Sequence, residues 1–146
     1  PGVRLPPPVL VGGVLAVAWF AHLFFPVLLG PPLPNYGVLV LFLGIGLIGW
    51  SLLTLVQAGN DPRPDKPDAA LVTAGPFRFS RNPIYLGFLV VVLGFALRWG
   101  DLWGWLALLV CHLALDRLVV TKEEAYLSTR FGAAYEAYRT RVRRWV

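Results

Sequence analysis

The sequence predicts an all-α integral membrane protein with four transmembrane helices and a C-terminal amphipathic helix on the cytoplasmic side. Three observations lead there. The chain of 146 residues is 57% hydrophobic and only 14% charged, with a mean hydropathy of +0.65, more apolar than a soluble core of this size requires. Its apolar residues gather into four segments, at 9–29, 37–58, 84–99 and 102–120. Its basic residues gather on alternate connections and in the tail, the bias that orients membrane helices. At this length the whole chain, 1–146, is one domain.

The first segment has 21 residues, about 31 Å as a helix, enough to cross the hydrocarbon core. Arg4 ahead of it gives it the look of a signal peptide, but "PVLLGPPLP" leads into a second span with no small-x-small cleavage site, so it reads as a span. The leading "PGVRLPPP" cannot be helical throughout. A first-position proline in a chain without methionine is expected to follow removal of an initiator methionine. Segment 37–58 is of similar length, and "GPPLPNYG" before it is a short outer turn. Segment 84–99 is shorter, about 24 Å, and Arg98 near its far end snorkels to the interface. Segment 102–120 is the fourth span.

The 59–83 connection carries Arg63, Lys66, Arg78 and Arg81, and the tail carries Lys122, Arg130, Arg139, Arg141, Arg143 and Arg144. The 30–36 connection has no basic residue and the 98–101 turn only Arg98. Four spans then place both termini and the long connection in the cytoplasm, with the protein in the cell (inner) membrane. Trp99, Trp103 and Trp105 form an aromatic belt at the outer interface. The 59–83 connection is long for a helical bundle, and long ordered loops usually do something. In the tail, Leu127, Phe131, Tyr135, Tyr138, Val142 and Trp145 fall at spacings of 4, 4, 3, 4 and 3. That apolar stripe reads either as a helix resting on the acidic leaflet or as part of a site.

Few side chains offer chemistry. The single cysteine, Cys111, excludes an intramolecular disulfide or a cysteine metal cluster and reads as a small apolar filler. His22 and His112 have no ligand spacing. There is no P-loop, nucleophile elbow or metal motif, and neither a metal nor a nucleic acid is expected. Gly87 and Gly94 on the third span, and Gly44, Gly46 and Gly49 on the second, read as close helix packing. In "SRNPIY", Asn82 suits a helix N-cap and Pro83 the first turn. The same helix start offers free amides to an anionic group, with Tyr85 beside it. In "KEEAYL", at least one of two adjacent carboxylates should face the protein. If the fourth span continues as one helix, His112, Asp116 and Glu123 share a face over about 16 Å. Asp116 and Arg117 read equally as functional groups or as a snorkelling pair.

"LVTAGPFRFSRNPIYLG", followed some forty residues later by "EEAYLSTRFGAAYEAYRTRVRRW", resembles the isoprenylcysteine carboxyl methyltransferase family. That family sits in a larger group of membrane methyltransferases that includes phosphatidylethanolamine N-methyltransferases. The resemblance covers roughly residues 57–146 and implies an S-adenosyl-L-methionine-dependent integral membrane methyltransferase. Ala69, Ala70, Leu71 and Val72 would line the adenosine pocket, partly through backbone. Phe77 stands where the family has tyrosine. Asn82, Pro83, Ile84 and Tyr85 match the "RHPxY" element, with Asn82 in place of histidine, as in the bacterial form. Glu123 matches a cofactor-binding glutamate and Glu124 its neighbour. Eukaryotic members carry a substrate-contacting arginine four residues before that glutamate; here the position is Val119, and Arg117 is out of register by two. His112, Asp116 and Arg117 are the candidates on the acceptor side.

Methyl transfer from a sulfonium fits such residues. It needs no metal and, for an ionised acceptor, no general base; alignment and exclusion of water do most of the work. A glutamate and aromatic faces hold cationic charge, and a lipophilic acceptor approaches from the bilayer. Two alternatives remain. Membrane sterol reductases resemble the group in their C-terminal part and use NADPH, but their motif continues with an acidic residue where this chain has Phe88. A non-catalytic membrane subunit of the same fold should have lost Glu123, Tyr85 or Pro83, all of which are present.

Overall fold

The computed structural model describes residues 5–63 and 66–146. Among them every regular element is helical: α1 (Pro7–Phe24), α2 (Pro34–Gln57), a 3-10 turn (Gly75–Arg78), α3 (Pro83–Trp99), α4 (Leu102–Ala114), α5 (Thr121–Phe131) and α6 (Ala133–Arg141). A π-turn (Leu115–Val120) joins α4 to α5 without a break. Arg4, expected to flank the first span, lies outside the described residues, as do Pro64 and Asp65 of the long connection.

Among the described residues, three helices are long and apolar enough to cross a membrane: Pro7–Phe24, Pro34–Gln57 and the continuous Leu102–Phe131. The fourth expected span forms a 17-residue apolar helix, α3, about 26 Å long and short of the roughly 20 residues that suffice alone. Large apolar side chains such as Phe20, Phe24, Phe42 and Leu53 stand more than half exposed on α1 and α2. A surface of that kind belongs in hydrocarbon.

The first helix ends earlier than position 29. Pro26 has no amide to donate and would clash with the carbonyl a turn before it, so the chain leaves α1 at Phe24 and runs extended. Leu29 N donates to Gly100 O (3.0 Å) and Leu102 N to Val27 O (2.8 Å), closing a short bridge to the α3–α4 turn. Asp101, fully buried, caps α4 through Gly104 N (3.3 Å) and meets His22 Nδ1 at 2.5 Å. The His22 ring stacks on Trp99. This end of the bundle is therefore held by polar contacts as well as packing.

The helices pack in the order α2, α3, α4, α1. Between α4 and its neighbours the core is made by Val11, Ala18, Val92, Ala107, Cys111, Leu115 and Val119, with Cys111 fully buried. The α2–α3 seam is different, because glycines bring backbone against backbone. A β-carbon on Gly37 would lie 2.6 Å from Gly94 O, and one on Gly94 would lie 2.7 Å from Gly37 O. Further along, a β-carbon on Gly44 would lie 2.7 Å from Val91 N. Gly87 and Gly94 do share one seam, and Gly44 faces it; Gly46 and Gly49 look into open space instead.

The tail is not one helix. Gly132 takes φ +55, separating α5 from α6, and Val142 then turns extended. The expected stripe faces the protein: Tyr135 and Tyr138 are buried, while Arg139, Arg141 and Arg143 are exposed.

Gly94→Val should lower stability by about 2 kcal/mol or more through overpacking of the seam, whereas Gly46→Ala, with open space around it, should stay within about 0.5 kcal/mol. Thermal unfolding of the detergent-solubilised protein distinguishes the two.

Candidate functional site

Where α2 ends, Gly59 takes φ +87 and Asn60 turns inward, 5% exposed. Its Nδ2 donates to Ala70 O (2.8 Å), and its Oδ1 accepts from the amides of Ala69 and Ala70 (2.9 Å each). One side chain thus satisfies both faces of an irregular segment that has no strand or helix to complete it. The same segment is stitched to α5: Tyr126 Oη accepts from Asp68 N (3.0 Å) and Arg130 Nε donates to Asp68 O (3.0 Å).

The next stretch is fixed from α6. Tyr138 Oη donates to Phe77 O (2.7 Å), and burial beside Tyr135 pushes its phenol up to about 12. Phe77 is buried in the 3-10 turn. At the 80–82 elbow, Ser80 Oγ accepts from Asn82 N (3.1 Å). Asn82 occupies the N-cap position of α3, yet its side chain makes no cap: Nδ2 donates to Arg144 O instead (3.0 Å). The capping bond expected from the sequence is therefore absent, and the first-turn amides of α3 receive no side-chain cap.

These segments enclose a cavity of about 150 Å³, partly open to the outside. On one wall lie Ala70, Leu71, Val72 and Phe77; on another, Asn82, Pro83, Ile84 and Tyr85; α5 closes it with Glu123, Tyr126 and Leu127. Tyr85 Oη donates to Glu123 Oε1 (2.5 Å), joining the two separated sequence motifs. Among the described residues Glu123 has no cation within 4 Å. Asp68 also lines the cavity, and its partial burial raises its pKa above the ordinary aspartate value against the pull of Arg130. Arg81 lines it too, with its side chain 10% exposed and its Nε buried without a hydrogen-bond partner among the described residues. At the mouth, Arg63 holds the Asp61 carboxyl down to about 2.

The residues expected at the site do not all gather there. Ala69 is held by Asn60 but does not line the cavity, and Glu124 turns away to Arg81 (3.0 Å) and Arg144 (2.6 Å). His112, Asp116 and Arg117 lie outside it: Asp116 pairs with Arg144, the His112 ring meets Trp145, and Arg117 is exposed. Val119 is buried in helix packing. The expected shared face of His112, Asp116 and Glu123 is broken by the π-turn. Missed by the sequence reading were Asn60, Asp68, Arg81, Tyr126 and Leu127 as lining residues. The two on α5 were within reach, since Tyr126 and Leu127 follow Glu123 by three and four positions, helical spacing on one face.

A family model for phospholipid methyltransferases matches residues 35–134. The chain belongs to the phospholipid methyltransferase family. It is 33% identical over 63 residues to an uncharacterized protein of Haemophilus influenzae, an alignment that takes in 43% of this chain and all of that protein. It is also 37% identical over 96 residues to protein-S-isoprenylcysteine O-methyltransferase of Schizosaccharomyces pombe, covering 60% of this chain but 39% of the yeast protein. No solved structure matches. The family is one of membrane methyltransferases acting on lipophilic substrates, and its match takes in Tyr85 and Glu123, where the two motifs meet.

Replacing Asn60 by alanine strands three backbone groups, each costing about 1–3 kcal/mol when buried and unpaired. Amide exchange at Ala69 and Ala70 should accelerate about tenfold or more, read by hydrogen–deuterium exchange of the detergent-solubilised protein.

Proposed function

We propose that the protein transfers a methyl group from S-adenosyl-L-methionine to a lipophilic acceptor at the cytoplasmic face of the membrane, with four helices crossing the bilayer and both termini in the cytoplasm. The observation that carries this is Glu123: partly buried, without a cationic partner within 4 Å among the described residues, and held by Tyr85 against a cavity built from both family motifs. A carboxylate kept that way is completed by a cation.

The donor set fits the cofactor. Glu123 and Asp68 suit its positive charge, and the aromatic faces of Tyr85 and Phe77 add to them. The orphaned Arg81 Nε and the uncapped first turn of α3 suit a carboxylate end. Ala70, Leu71 and Val72 offer an apolar wall to the adenosine part. When bound, S-adenosylmethionine supplies an electrophilic methyl on a sulfonium, which passes to an acceptor lone pair and leaves a neutral thioether. The chain's own residues bind and orient the reactants and keep water out, which is where most of the rate of such a displacement arises. Val119 stands where eukaryotic members carry a substrate-contacting arginine, and Arg117 is exposed away from the cavity. The acceptor reading is accordingly the broad one, a lipid or small lipophilic molecule, with a prenylcysteine carboxylate as one case.

Calorimetric titration of the purified protein with S-adenosylhomocysteine, in parallel with NADPH, tests the reading. Micromolar-range binding of the former alone is expected, with a loss of about tenfold or more in Glu123→Gln at unchanged helix content. Binding of NADPH instead moves the protein to the reductases, and silence from both in a folded sample moves it to a non-catalytic subunit. A second outcome follows from Asp68. Because its pKa is raised, its negative charge is present above that value and is lost as pH falls through it. Affinity for the cationic S-adenosylmethionine should fall with it, relative to neutral-sulfur S-adenosylhomocysteine, and Asp68→Asn should flatten that dependence.

A further inference from the structure

Beside the cavity, four charged side chains form a ladder. Arg81 Nη1 lies 3.0 Å from Glu124 Oε1. Arg144 forks Glu124 through Nε (3.0 Å) and Nη2 (2.6 Å), and its Nη1 reaches Asp116 at 3.1 and 3.3 Å. Charges alternate and cancel along the ladder. The backbone follows the same route: Arg81 N donates to Arg143 O (3.0 Å), and Arg144 O accepts from Asn82 Nδ2 (3.0 Å) and Ser80 Oγ (3.5 Å). Trp145 Nε1 adds a bond to Asp116 (3.1 Å).

The π-turn explains why one arginine reaches both carboxylates. In a plain α-helix each residue turns about 100°, so positions eight apart differ by roughly 80° and positions seven apart by roughly 20°. A π-turn absorbs about one extra residue, rotating everything after it back by about 100°. Asp116 and Glu124 then fall within roughly 20° of one another, while Glu123 moves to a different face, roughly 120° away. That is the observed arrangement: Asp116 and Glu124 meet Arg144, and Glu123 meets Tyr85. Such turns are rare and occur mostly as single turns inside α-helices, frequently at functional sites.

We propose that Arg144 is a positioning residue for the cavity: it braces the π-turn by gripping Asp116 within its first residues and Glu124 beyond its end, and so fixes the face on which Glu123 is presented to Tyr85. Through its carbonyl, which accepts from Asn82 Nδ2, and through Glu124, which also meets Arg81, the same residue ties that helix to the opposite wall. The inference rests on the cofactor reading only for its affinity measurement. A forked arginine–carboxylate contact partly shielded from water is strong enough for such a role, and lysine cannot reproduce its geometry.

The test compares Arg144→Gln, Arg144→Lys, Asp116→Asn and the Arg144→Gln/Asp116→Asn double variant, as full chains in detergent, at a temperature where all retain the same helix content. In Arg144→Gln, hydrogen exchange without ligand should accelerate in 80–86 and 115–124 but not in α2, and S-adenosylhomocysteine affinity should fall about tenfold, with the double variant no weaker than Arg144→Gln because both substitutions remove one brace. Arg144→Lys should fall between Arg144→Gln and the unmodified chain. Affinity within about twofold of the unmodified protein, or exchange that is unchanged or uniformly raised across all helices, overturns the proposal. If the unmodified protein itself fails to bind S-adenosylhomocysteine, the cofactor reading falls, and the exchange pattern alone decides this one.

Discussion

The contact between α2 and α3 is made by backbone, with the carbonyls of Gly37 and Gly94 and the chain at Gly44 and Gly87 standing where side chains would otherwise intervene. Apolar burial gives helices little reason to associate inside lipid, so close approach and the dispersion it gains must do that work. The separation set there propagates to the cavity. Helix α2 delivers Leu55 and, just past its end, Asn60; α3 delivers Pro83 to Tyr85, with Asn82 at its N-cap. A seam wider by the breadth of a methyl group would carry the segment held by Asn60 away from the tyrosine that faces it.

Beyond the seam, part of the wall is irregular chain, and irregular chain beside a bilayer has a problem of satisfaction. Backbone groups that are neither in a helix nor in water must find partners within the protein. Side chains far away in sequence provide them: Tyr126 and Arg130 for Asp68, Tyr138 for Phe77, Asn60 for Ala69 and Ala70. Each of these bonds also fixes a cavity wall, so the demands of folding and of ligand binding are met by the same contacts. This is how the described part of the long connection is held with only a short 3-10 turn of regular structure, and why α6 lies against it with Tyr135 and Tyr138 inward.

Much of this was legible in the sequence, and the limits have physical causes. Hydropathy located all four apolar helices, since a run of apolar residues is a local property; it could not foresee that Pro26 would end α1 early in favour of a bridge to the α3–α4 turn. The Asn-Pro start of α3 was read correctly as a boundary, but the destination of the Asn82 side chain depends on Arg144, 62 residues away. The stripe in the tail was visible as a period, whereas its direction, inward rather than toward lipid, depends on what it packs against. Periodicity assumed an unbroken α-helix from His112 to Glu123, and a π-turn leaves no mark in composition. That single widened turn separated Asp116 from Glu123 and sent Glu124 to the ladder instead of the cavity.

Cys111 lies at the centre of the helix core with no exposed surface, and it is the one thiol in the chain. The native protein is thus already a cysteine-silent background for chemical labelling under folded conditions. A spin label or fluorophore attached to a cysteine introduced at an exposed site such as Arg143 or Thr73 would report from one known position in an otherwise unaltered protein, and a pair of such labels would report the distance between the segments that carry them.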